Sequence, residues 1–366
     1  MKVLVTGSSG FIGKNLHQHL KEEKDIEIIT FEQEDSFAKI ENNINEIDFI
    51  FHLAGINRPE STEEFYTGNA DLTRSIIELL NSKKLNTPIV ITSSIQAEKE
   101  NDYGKSKKQA EEVAGSYANP YIYRLHNVFG KWCRPNYNSV IATFCHNVAH
   151  DIEIVVNDEN VELELIYIDD IINEFMRILK GENPAHKEND YYYIDPVYKM
   201  KLGELADRIK EFKIDMETIS VPPTGDEFTK KLFSTYLSYV KMDDMVCIPK
   251  MNVDERGSFI ELIKTQESGQ VSVSVSKPGV VRGNHYHHTK MEKFIVIKGN
   301  AKITFRHIVT NEINEFYVDD TRLKIVNIPV GHTHKIENIG EDEMILLLWC
   351  NEIFDPNNPD TYFEEV

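Results

Sequence analysis

The hydrophobic pattern changes near residue 244, and this change constrains the fold of the chain more than any other feature. Before it, short apolar runs alternate with longer segments of helical periodicity, such as Asn69–Asn81. After it, short alternating segments are separated by Gly, Asn and Asp. The first pattern predicts an α/β domain with a parallel sheet over residues 1–243. The second predicts an all-β sandwich or barrel over residues 244–366.

The same patterns predict individual elements in both domains. In the first domain the predicted strands and helices are Lys2–Thr6, Phe11–Lys24 (helix), Ile26–Phe31, Asp48–Leu53, Asn69–Asn81 (helix) and Pro88–Thr92. A further helix is expected over Phe228–Val240, before the boundary. In the second domain the predicted strands are Val271–Ser276, Phe294–Ile297, Ala301–Phe305, Leu323–Ile328 and Met344–Trp349.

Composition and charge exclude several classes of function. The 366 residues include 60 acidic and 40 basic side chains, which gives a formal net charge of −20. Such a chain is unsuited to non-specific binding of nucleic acid or of an anionic membrane surface. The four cysteines form no C-x-x-C pair, and we find neither a signal peptide nor an apolar run long enough to span a membrane. We therefore expect a cytoplasmic protein without nucleic-acid or membrane partners.

A glycine-rich turn follows the first predicted strand. It contains Gly7, Gly10 and Gly13, with Phe11 and Ile12 opening the predicted helix. Glycines at such a turn allow the backbone to approach a pyrophosphate, whose charge the helix N-terminus stabilises. Between a strand and a helix, this pattern predicts dinucleotide binding.

Tyr103 and Lys107 form a Y-x-x-x-K pair, one turn apart on the same face of a predicted helix. A lysine at that distance is expected to lower the pKa of the tyrosine, which can then exchange a proton with an alcohol or carbonyl. Tyr286 and Lys290 make a second such pair, but they lie in a region of strand character.

Five further segments match one enzyme family in order and spacing. They are His52–Gly55, Asn69, Thr92–Ser94, Arg124–Gly130 and Tyr167–Asp170. Together with the two motifs above, they make residues 1–243 resemble an extended short-chain dehydrogenase/reductase of the nucleotide-sugar branch, with a Rossmann-like doubly wound sheet. The resemblance implies that Tyr103 donates a proton, that Lys107 holds the nicotinamide ribose and that Ser94, or alternatively Ser93, binds the substrate carbonyl. It also implies that Leu53, Ala54, Gly55 and Asn69 lie at the cofactor.

The second predicted strand ends without a clear aspartate. An acidic side chain there pairs with the ribose 2′-hydroxyl of NAD. Thr30, Phe31 and Glu32 stand at this place, so the sequence favours NADPH, with Glu32 in the NAD role as the alternative.

The second domain contains a set of possible metal ligands. His285 and His287 are expected to point to one face of a strand, and Glu292 and His334 complete a set of three nitrogens and one carboxylate. Such a set suits a divalent metal, Zn²⁺ in the first place. The spacing resembles the cupin signature, whose fold is a metal-binding β-barrel. Segments around Asp254–Glu261 and Val281–Tyr286 also resemble cupins that epimerise nucleotide-linked 4-keto sugars, in which the residue matching His285 is a general base. A metal-bound histidine is a poor base, and we expect His285 to be a ligand.

The domain order and both motif sets resemble the bifunctional CapF-type enzymes of capsular polysaccharide synthesis. The resemblance implies epimerisation at carbon 3 of UDP-2-acetamido-2,6-dideoxy-β-L-arabino-4-hexulose and NADPH-dependent reduction at carbon 4. The implied product is UDP-2-acetamido-2,6-dideoxy-β-L-talose, a precursor of UDP-N-acetyl-L-fucosamine. A homodimer is expected by analogy with other cupins.

Two other functions are compatible with the same residues. In one, only the reductase is active and the barrel binds sugar or mediates dimerisation around a structural metal. In the other, the chain is a redox-sensing scaffold that binds NADP(H) without turnover, against which the set of Ser94, Tyr103 and Lys107 argues.

Overall fold

The computed structural model describes residues 1–57, 61 and 65–366. Within these residues the chain divides into two compact units, one of residues 1–209 and 231–240 and the other of residues 210–230 and 241–366. The predicted boundary after residue 243 lies three residues beyond the last residue of the first unit. Among the described residues, no helix is both long and apolar enough to cross a membrane.

Alternating strands and helices make up most of the first unit. The strands are β1 (Lys2–Thr6), β2 (Glu27–Phe31), β3 (Phe49–His52), β4 (Ile89–Ser94), β5 (Pro120–Leu125), β6 (Asn127–Phe129), β7 (Glu162–Tyr167), β8 (His186–Glu188), β9 (Tyr191–Tyr193) and β10 (Tyr198–Lys201). The helices are α1 (Phe11–Glu22), α2 (Ala38–Asn43), α3 (Leu72–Ser82), α4 (Asp102–Gly115), α5 (Val140–Ala149), α6 (Ile168–Leu179), α7 (Leu202–Glu217) and α8 (Glu227–Leu237). Helices α7 and α8 each contain residues of both units.

The strands of the first unit form a parallel sheet in the order β2-β1-β3-β4-β5-β9-β8, with only β8 antiparallel, and a separate sheet β10-β7-β6. β1, β3 and β4 are almost wholly buried, because helices cover the sheet; α1 packs against α6 and α3 against α4. The strand order reverses at β1, so the carboxyl ends of β1 and β3 border the crevice in which this fold binds ligands. The predicted Rossmann-like doubly wound fold is confirmed.

The predicted helix over Asn69–Asn81 begins later than expected. The α-helix starts at Leu72, after a π-helical turn at Thr67–Asp71. Such turns are rare and often occur at functional sites. Here the turn carries Asn69, whose buried side chain reaches the loop after β3.

The second unit is antiparallel from residue 251 onward. Its strands are β11 (Met251–Asp254), β12 (Gly257–Thr265), β13 (Gly269–Ser276), β14 (Val281–Tyr286), β15 (Glu292–Lys298), β16 (Asn300–His307), β17 (Ile313–Asp319), β18 (Ile325–Ile328), β19 (His332–Asn338), β20 (Met344–Cys350) and β21 (Tyr362–Phe363). They form two sheets, in the orders β11-β12-β13-β20-β15-β18 and β17-β16-β19-β14-β21. Apolar side chains from both sheets, including Phe294, Ile303 and Leu346, form one core. The predicted all-β cupin fold is confirmed.

Candidate functional site

The glycine-rich loop lies at the carboxyl end of β1, against the residues that follow β3. Gly7 has a φ of +68°, and a Cβ atom added to it would lie 2.8 Å from Cα of Ala54. A Cβ atom on Gly13 would lie 2.1 Å from the carbonyl oxygen of Gly7. Only glycine fits these two positions, because one requires the left-handed conformation and the other a close backbone approach. The turn ends at Gly10, which has no side chain to cap the N-terminus of α1, where the helix begins at Phe11.

The loop after β3 brings together several of the predicted site residues. The amide of Leu53 donates to the carbonyl of Thr6 at 3.2 Å. A Cβ atom on Gly55 would lie 2.9 Å from Oδ1 of Asn69 and 3.1 Å from Nζ of Lys107. The predicted cofactor residues after β3, on the π-helical turn and on α4 therefore meet at one point. Ile12 follows Phe11 in the first turn of α1.

Asn69 uses both ends of its amide to fix this loop. Its Oδ1 accepts a hydrogen bond from the Ile56 amide at 3.0 Å, and its Nδ2 donates to the Ile56 carbonyl at 3.1 Å and to Ser106 Oγ at 3.2 Å. The asparagine thus ties the loop after β3 to helix α4. Ser106 was missed by sequence reasoning, because a serine within a helix carries no distinguishing signal.

Ser94, Tyr103 and Lys107 lie together at the carboxyl end of β4 and the start of α4. The Ser94 side chain lies close enough to the Tyr103 hydroxyl to act on its pKa. Lys107 Nζ lies 5.9 Å from the centre of the Tyr103 ring and donates to the carbonyl of Thr92 at 3.3 Å. Ser93 instead donates to the buried carboxylate of Glu111 at 2.6 Å. This geometry favours Ser94 over Ser93 as the group that faces a substrate.

The pKa of Tyr103 differs from the sequence expectation. Burial raises the pKa of Tyr103, and the nearby Ser94 side chain offsets this only in part. Burial also lowers the pKa of Lys107 to about 8, although the negative charge of Glu111 acts to raise it. The expected lowering of the tyrosine pKa by Lys107 was therefore wrong in direction, because removal from water disfavours the charged form of both side chains.

A second site lies in a cavity of about 330 Å³ within the barrel. Four side chains here place their possible ligand atoms within 4.8 Å of one another. They are His285 on β14, His287 just after it, Glu292 at the start of β15 and His334 on β19. His285 pairs with His334 across the two strands. A bulge lies between Gly283 and His285, where Asn284 has a φ of +60°. Bulges re-aim the side chains that follow them, and here the side chains of His285 and His287 both line the cavity.

The polar atoms in this cluster fit a metal ion. Nε2 of His287 and Nε2 of His334 each lie 3.3 Å from Oε2 of Glu292, and all three atoms are buried without a hydrogen-bond partner. Buried polar atoms that converge without partners are costly unless a ligand satisfies them. Three imidazoles and one carboxylate are a donor set for Zn²⁺ and similar divalent ions.

The pKa shifts of Glu292 and His285 also agree with a metal site. Burial would raise the pKa of the Glu292 carboxyl, but the close approach of the His287 and His334 imidazoles outweighs this effect and lowers the pKa. Burial lowers the pKa of His285 to about 4, so its imidazole is neutral near pH 7. A neutral imidazole can bind a metal or accept a proton, and the two roles proposed from the sequence both remain open to it.

The comparisons with known proteins agree with the two-unit architecture. Residues 3–192 match the NAD dependent epimerase/dehydratase family, and residues 252–362 match the polysaccharide biosynthesis C-terminal domain. UDP-2-acetamido-2,6-beta-L-arabino-hexul-4-ose reductase of Pseudomonas aeruginosa is 46% identical over 99% of this chain and 98% of its own length. The crystal structure of the capsular polysaccharide assembling protein CapF from Staphylococcus aureus is 47% identical, with a TM-score of 0.91 and full coverage of both chains.

The chain belongs to the CapF family of NAD dependent epimerases and dehydratases. It is therefore an enzyme, and its family uses a nicotinamide cofactor. The UDP-glucuronic acid 4-epimerase of Bacillus cereus, at 17% identity over 58% of this chain and a TM-score of 0.50, is similar to it in fold over that part. In this CapF-family chain, the predicted reductase residues cluster in the first unit and the predicted metal ligands in the second.

Proposed function

We propose that this CapF-family enzyme remodels two adjacent carbons of one UDP-sugar. Residues 244–366 epimerise carbon 3 of UDP-2-acetamido-2,6-dideoxy-β-L-arabino-4-hexulose, and residues 1–243 reduce its 4-keto group. The product is UDP-2-acetamido-2,6-dideoxy-β-L-talose, on the way to UDP-N-acetyl-L-fucosamine and capsular polysaccharide. The observation that carries the proposal is that Ser94, Tyr103 and Lys107 lie together in the first unit, while four side chains that could hold a metal ion lie together in the second.

The reductive step depends on a proton donor beside the ketone. The bound nicotinamide supplies a hydride to carbon 4. The Ser94 hydroxyl orients the carbonyl oxygen, and Tyr103 transfers its proton to that oxygen as the alkoxide forms. Lys107, buried one turn away, contacts the ribose and stabilises the resulting phenolate. The choice between NADPH, which the sequence favours, and NADH depends on Glu32.

The epimerisation step depends on the acidity of the carbon next to the ketone. A base removes the proton from carbon 3, the charge moves to the ketone oxygen as an enolate, and a proton returns on the opposite face. We propose His285, His287, Glu292 and His334 as ligands of one divalent ion, Zn²⁺ in the first place. Such an ion, when bound, supplies Lewis-acid stabilisation to negative oxygen. Gln270, Ser272 and Ser274 line the cavity and offer polar contacts to a sugar.

Deuterium exchange tests the epimerase half. The full-length protein is incubated in D₂O with the keto-sugar and without nicotinamide, and mass spectrometry follows the mass of the sugar. We expect deuterium at carbon 3, and loss of exchange in His334→Ala. If the wild-type protein with its metal bound gives no exchange, the barrel is not an epimerase. That result would favour the reductase with a non-catalytic barrel, for which the buried ligand set would be structural.

Substitution of Tyr103 tests the reductase half. Tyr103→Phe removes the proton donor and should lower kcat for ketone reduction by about 10²–10⁴-fold, while exchange at carbon 3 persists. Tyr121→Phe is the matched control, because Tyr121 lies near the amino end of β5, whereas Ser94 lies at the carboxyl end of the parallel strand β4. If Tyr103→Phe reduces the ketone with the wild-type kcat, Tyr103 is not the proton donor.

Assembly and location are parts of the same proposal. We propose a homodimer that works in the cytoplasm, where nucleotide sugars and reduced nicotinamides are available. An edge strand supports association, because every residue of β11 is exposed, including Met251 and Val253. Light scattering of the purified protein measures its mass, and cell fractionation gives its location; a monomer would contradict the first part.

A further inference from the structure

Strand β13 carries a series of polar side chains that face the interior of the barrel. Its valines point to the opposite face of the sheet, because successive side chains of a strand alternate. Serine and glutamine are mostly exposed in folded proteins, and buried polar groups need partners. The four members of this series are nevertheless at most 5% exposed: Gln270, Ser272, Ser274 and Ser276.

Ser274 is the serine of this series whose hydroxyl group is left without a partner. Ser272 Oγ accepts a hydrogen bond from Gln270 Nε2 at 3.2 Å. Ser276 Oγ accepts one from Arg282 Nε at 3.0 Å. The Ser274 hydroxyl is buried and has no hydrogen-bond partner in the part of the chain that the structure describes. Because Ser274 lines the cavity, a molecule bound in the cavity can supply the missing partner.

The cavity wall around Ser274 is apolar. Ser274 pairs with Phe259 of β12 on one side and with Leu346 of β20 on the other, and both of these side chains line the cavity. Cross-strand partners point to the same face of a sheet, with Cβ atoms about 4.5–5.5 Å apart. The buried side chain of Ile336, from the other sheet, lines the same cavity. One hydroxyl group is therefore set among apolar side chains.

This part of the wall is set apart from the proposed metal ligands. Glu292 pairs with Cys350 of β20, and Cys350 pairs with Gln270. Glu292 and Gln270 therefore belong to one row of side chains across the sheet. Ser274 lies two inward-facing positions further along β13 than Gln270. A substituent of the sugar, rather than its reacting carbon, is expected at that distance from the row of Glu292.

We propose that Ser274 binds the 2-acetamido group of the sugar and makes the barrel specific for N-acetylated amino sugars. The inference rests on the proposed epimerase function. An acetamido group carries an amide, which can pair with one hydroxyl group, and a methyl group, which is stabilised by apolar contact. Phe259 and Leu346 supply that contact. A phosphate group does not fit this part of the wall, because its charge and several acceptors would be left without partners.

The position of the acetamido group makes Ser274 a positioning residue for the reaction. The group is attached to carbon 2, next to the carbon that loses and regains its proton. Holding it fixes the orientation of carbon 3 towards the other groups of the cavity. The volume of about 330 Å³ is at the lower end of the range of about 300–1,000 Å³ for small-molecule sites, which suits a substituted sugar ring.

Deuterium exchange with two sugars tests the inference on the full-length protein in D₂O without nicotinamide. One sugar is the 2-acetamido 4-keto-sugar, and the other is its UDP-linked counterpart with a hydroxyl group at carbon 2. We expect Ser274→Ala to lower kcat/KM for exchange of the acetamido sugar by about two- to tenfold, the effect of one neutral hydrogen bond. The value for the hydroxyl sugar should stay within about twofold, because the shorter substituent leaves Ser274 uncontacted.

A matched serine variant and a stability measurement complete the test. Ser258→Ala is the control, because Ser258 pairs with Val275 and so faces away from the cavity. It should keep the wild-type values for both sugars. The free energy of unfolding of Ser274→Ala should equal or exceed that of the wild-type protein, because the substitution removes an unpaired buried hydroxyl.

The outcomes separate this inference from the proposed function. Equal losses with both sugars, no loss with the acetamido sugar, or a lower free energy of unfolding of Ser274→Ala would overturn the inference and leave the epimerase intact. If the wild-type protein exchanges only the acetamido sugar, the inhibition constant of the hydroxyl sugar serves for the same comparison. Exchange of neither sugar by the wild-type protein with its metal bound would overturn both.

Discussion

Nδ1 of His287 lies 2.6 Å from the backbone carbonyl oxygen of Asp360, which is 73 residues later in the chain. The contact fixes the imidazole so that Nε2 faces Glu292. The Asp360 carboxylate in turn accepts hydrogen bonds from the amides of His288, Thr289 and Lys290. These bonds lower the pKa of Asp360 against the effect of burial. The C-terminal segment therefore holds the loop that carries a proposed metal ligand.

Removal of the Asp360 carboxylate should weaken metal binding. Partners that orient a metal ligand typically contribute 10–100-fold to affinity, and we expect a loss in this range for Asp360→Ala. Metal content after dialysis against graded chelator concentrations measures the effect. Asp355→Ala, in the same segment, is the control, because within residues 1–57, 61 and 65–366 the Asp355 carboxylate bonds only to the nearby Asn357 amide. Equal metal retention by both variants would show that Asp360 does not support the site.

The pKa of Lys107 predicts a pH limit for reduction. Burial lowers this pKa to about 8, so the cationic form, which we propose to stabilise the Tyr103 phenolate, is lost as the pH rises through about 8. The value of kcat/KM for ketone reduction should therefore fall above that pH. Lys107→Arg should remove this fall, because guanidinium stays charged, even where overall activity is lower. Lys105→Arg, on the exposed face of α4, should leave the profile unchanged.

Local patterns in the sequence were sufficient to predict the elements and residues whose positions depend on near neighbours in the chain. The turn around Gly7 and the pair Tyr103 and Lys107 follow from spacings of three or four residues, and the structure places them as expected. The contact between His287 and Asp360 could not be predicted, since it depends on how two distant segments pair. The direction of the shift in the Tyr103 pKa could not be predicted either, because it depends on how deeply the folded chain buries this side chain.

His52 makes the stability of the first unit sensitive to acid. Its Nδ1 lies 2.7 Å from Thr6 Oγ1 and its Nε2 lies 2.9 Å from Thr73 Oγ1. Burial lowers its pKa to about 3 from an ordinary 6.5, so the unfolded chain binds the proton first as the pH falls. Stability is fully present above about pH 6.5 and declines below it by up to about 1.4 kcal/mol per pH unit.

Urea unfolding between pH 7 and pH 4 measures this dependence. His52→Gln removes the titrating group and should flatten the slope of unfolding free energy against pH, whatever its effect at pH 7. His186→Gln, at a partly exposed position on β8, is the matched control and should keep the wild-type slope. An unchanged slope in His52→Gln would assign the acid sensitivity to other groups.

Glu111 and Arg124 form a buried ion pair that fixes helix α4, and therefore Tyr103 and Lys107, to the sheet. Arg124 donates to both oxygens of Glu111 at 2.9 and 2.8 Å, and Ser93 donates to the same carboxylate. The Glu111 side chain is only 1% exposed. Loss of one partner from such a pair leaves a buried charge uncompensated, which costs about 3–5 kcal/mol.

Comparison of the two acidic partners of Arg124 isolates the effect of burial. Glu111→Gln should lower the free energy of unfolding by about 3 kcal/mol or more. Glu98→Gln removes the other partner, which lies 2.7 Å from Arg124 but has a side chain 73% exposed, and should cost less than about 1 kcal/mol. Denaturant unfolding at pH 7 measures both. Similar losses in the two variants would mean that burial of the Glu111 carboxylate does not set the strength of this attachment.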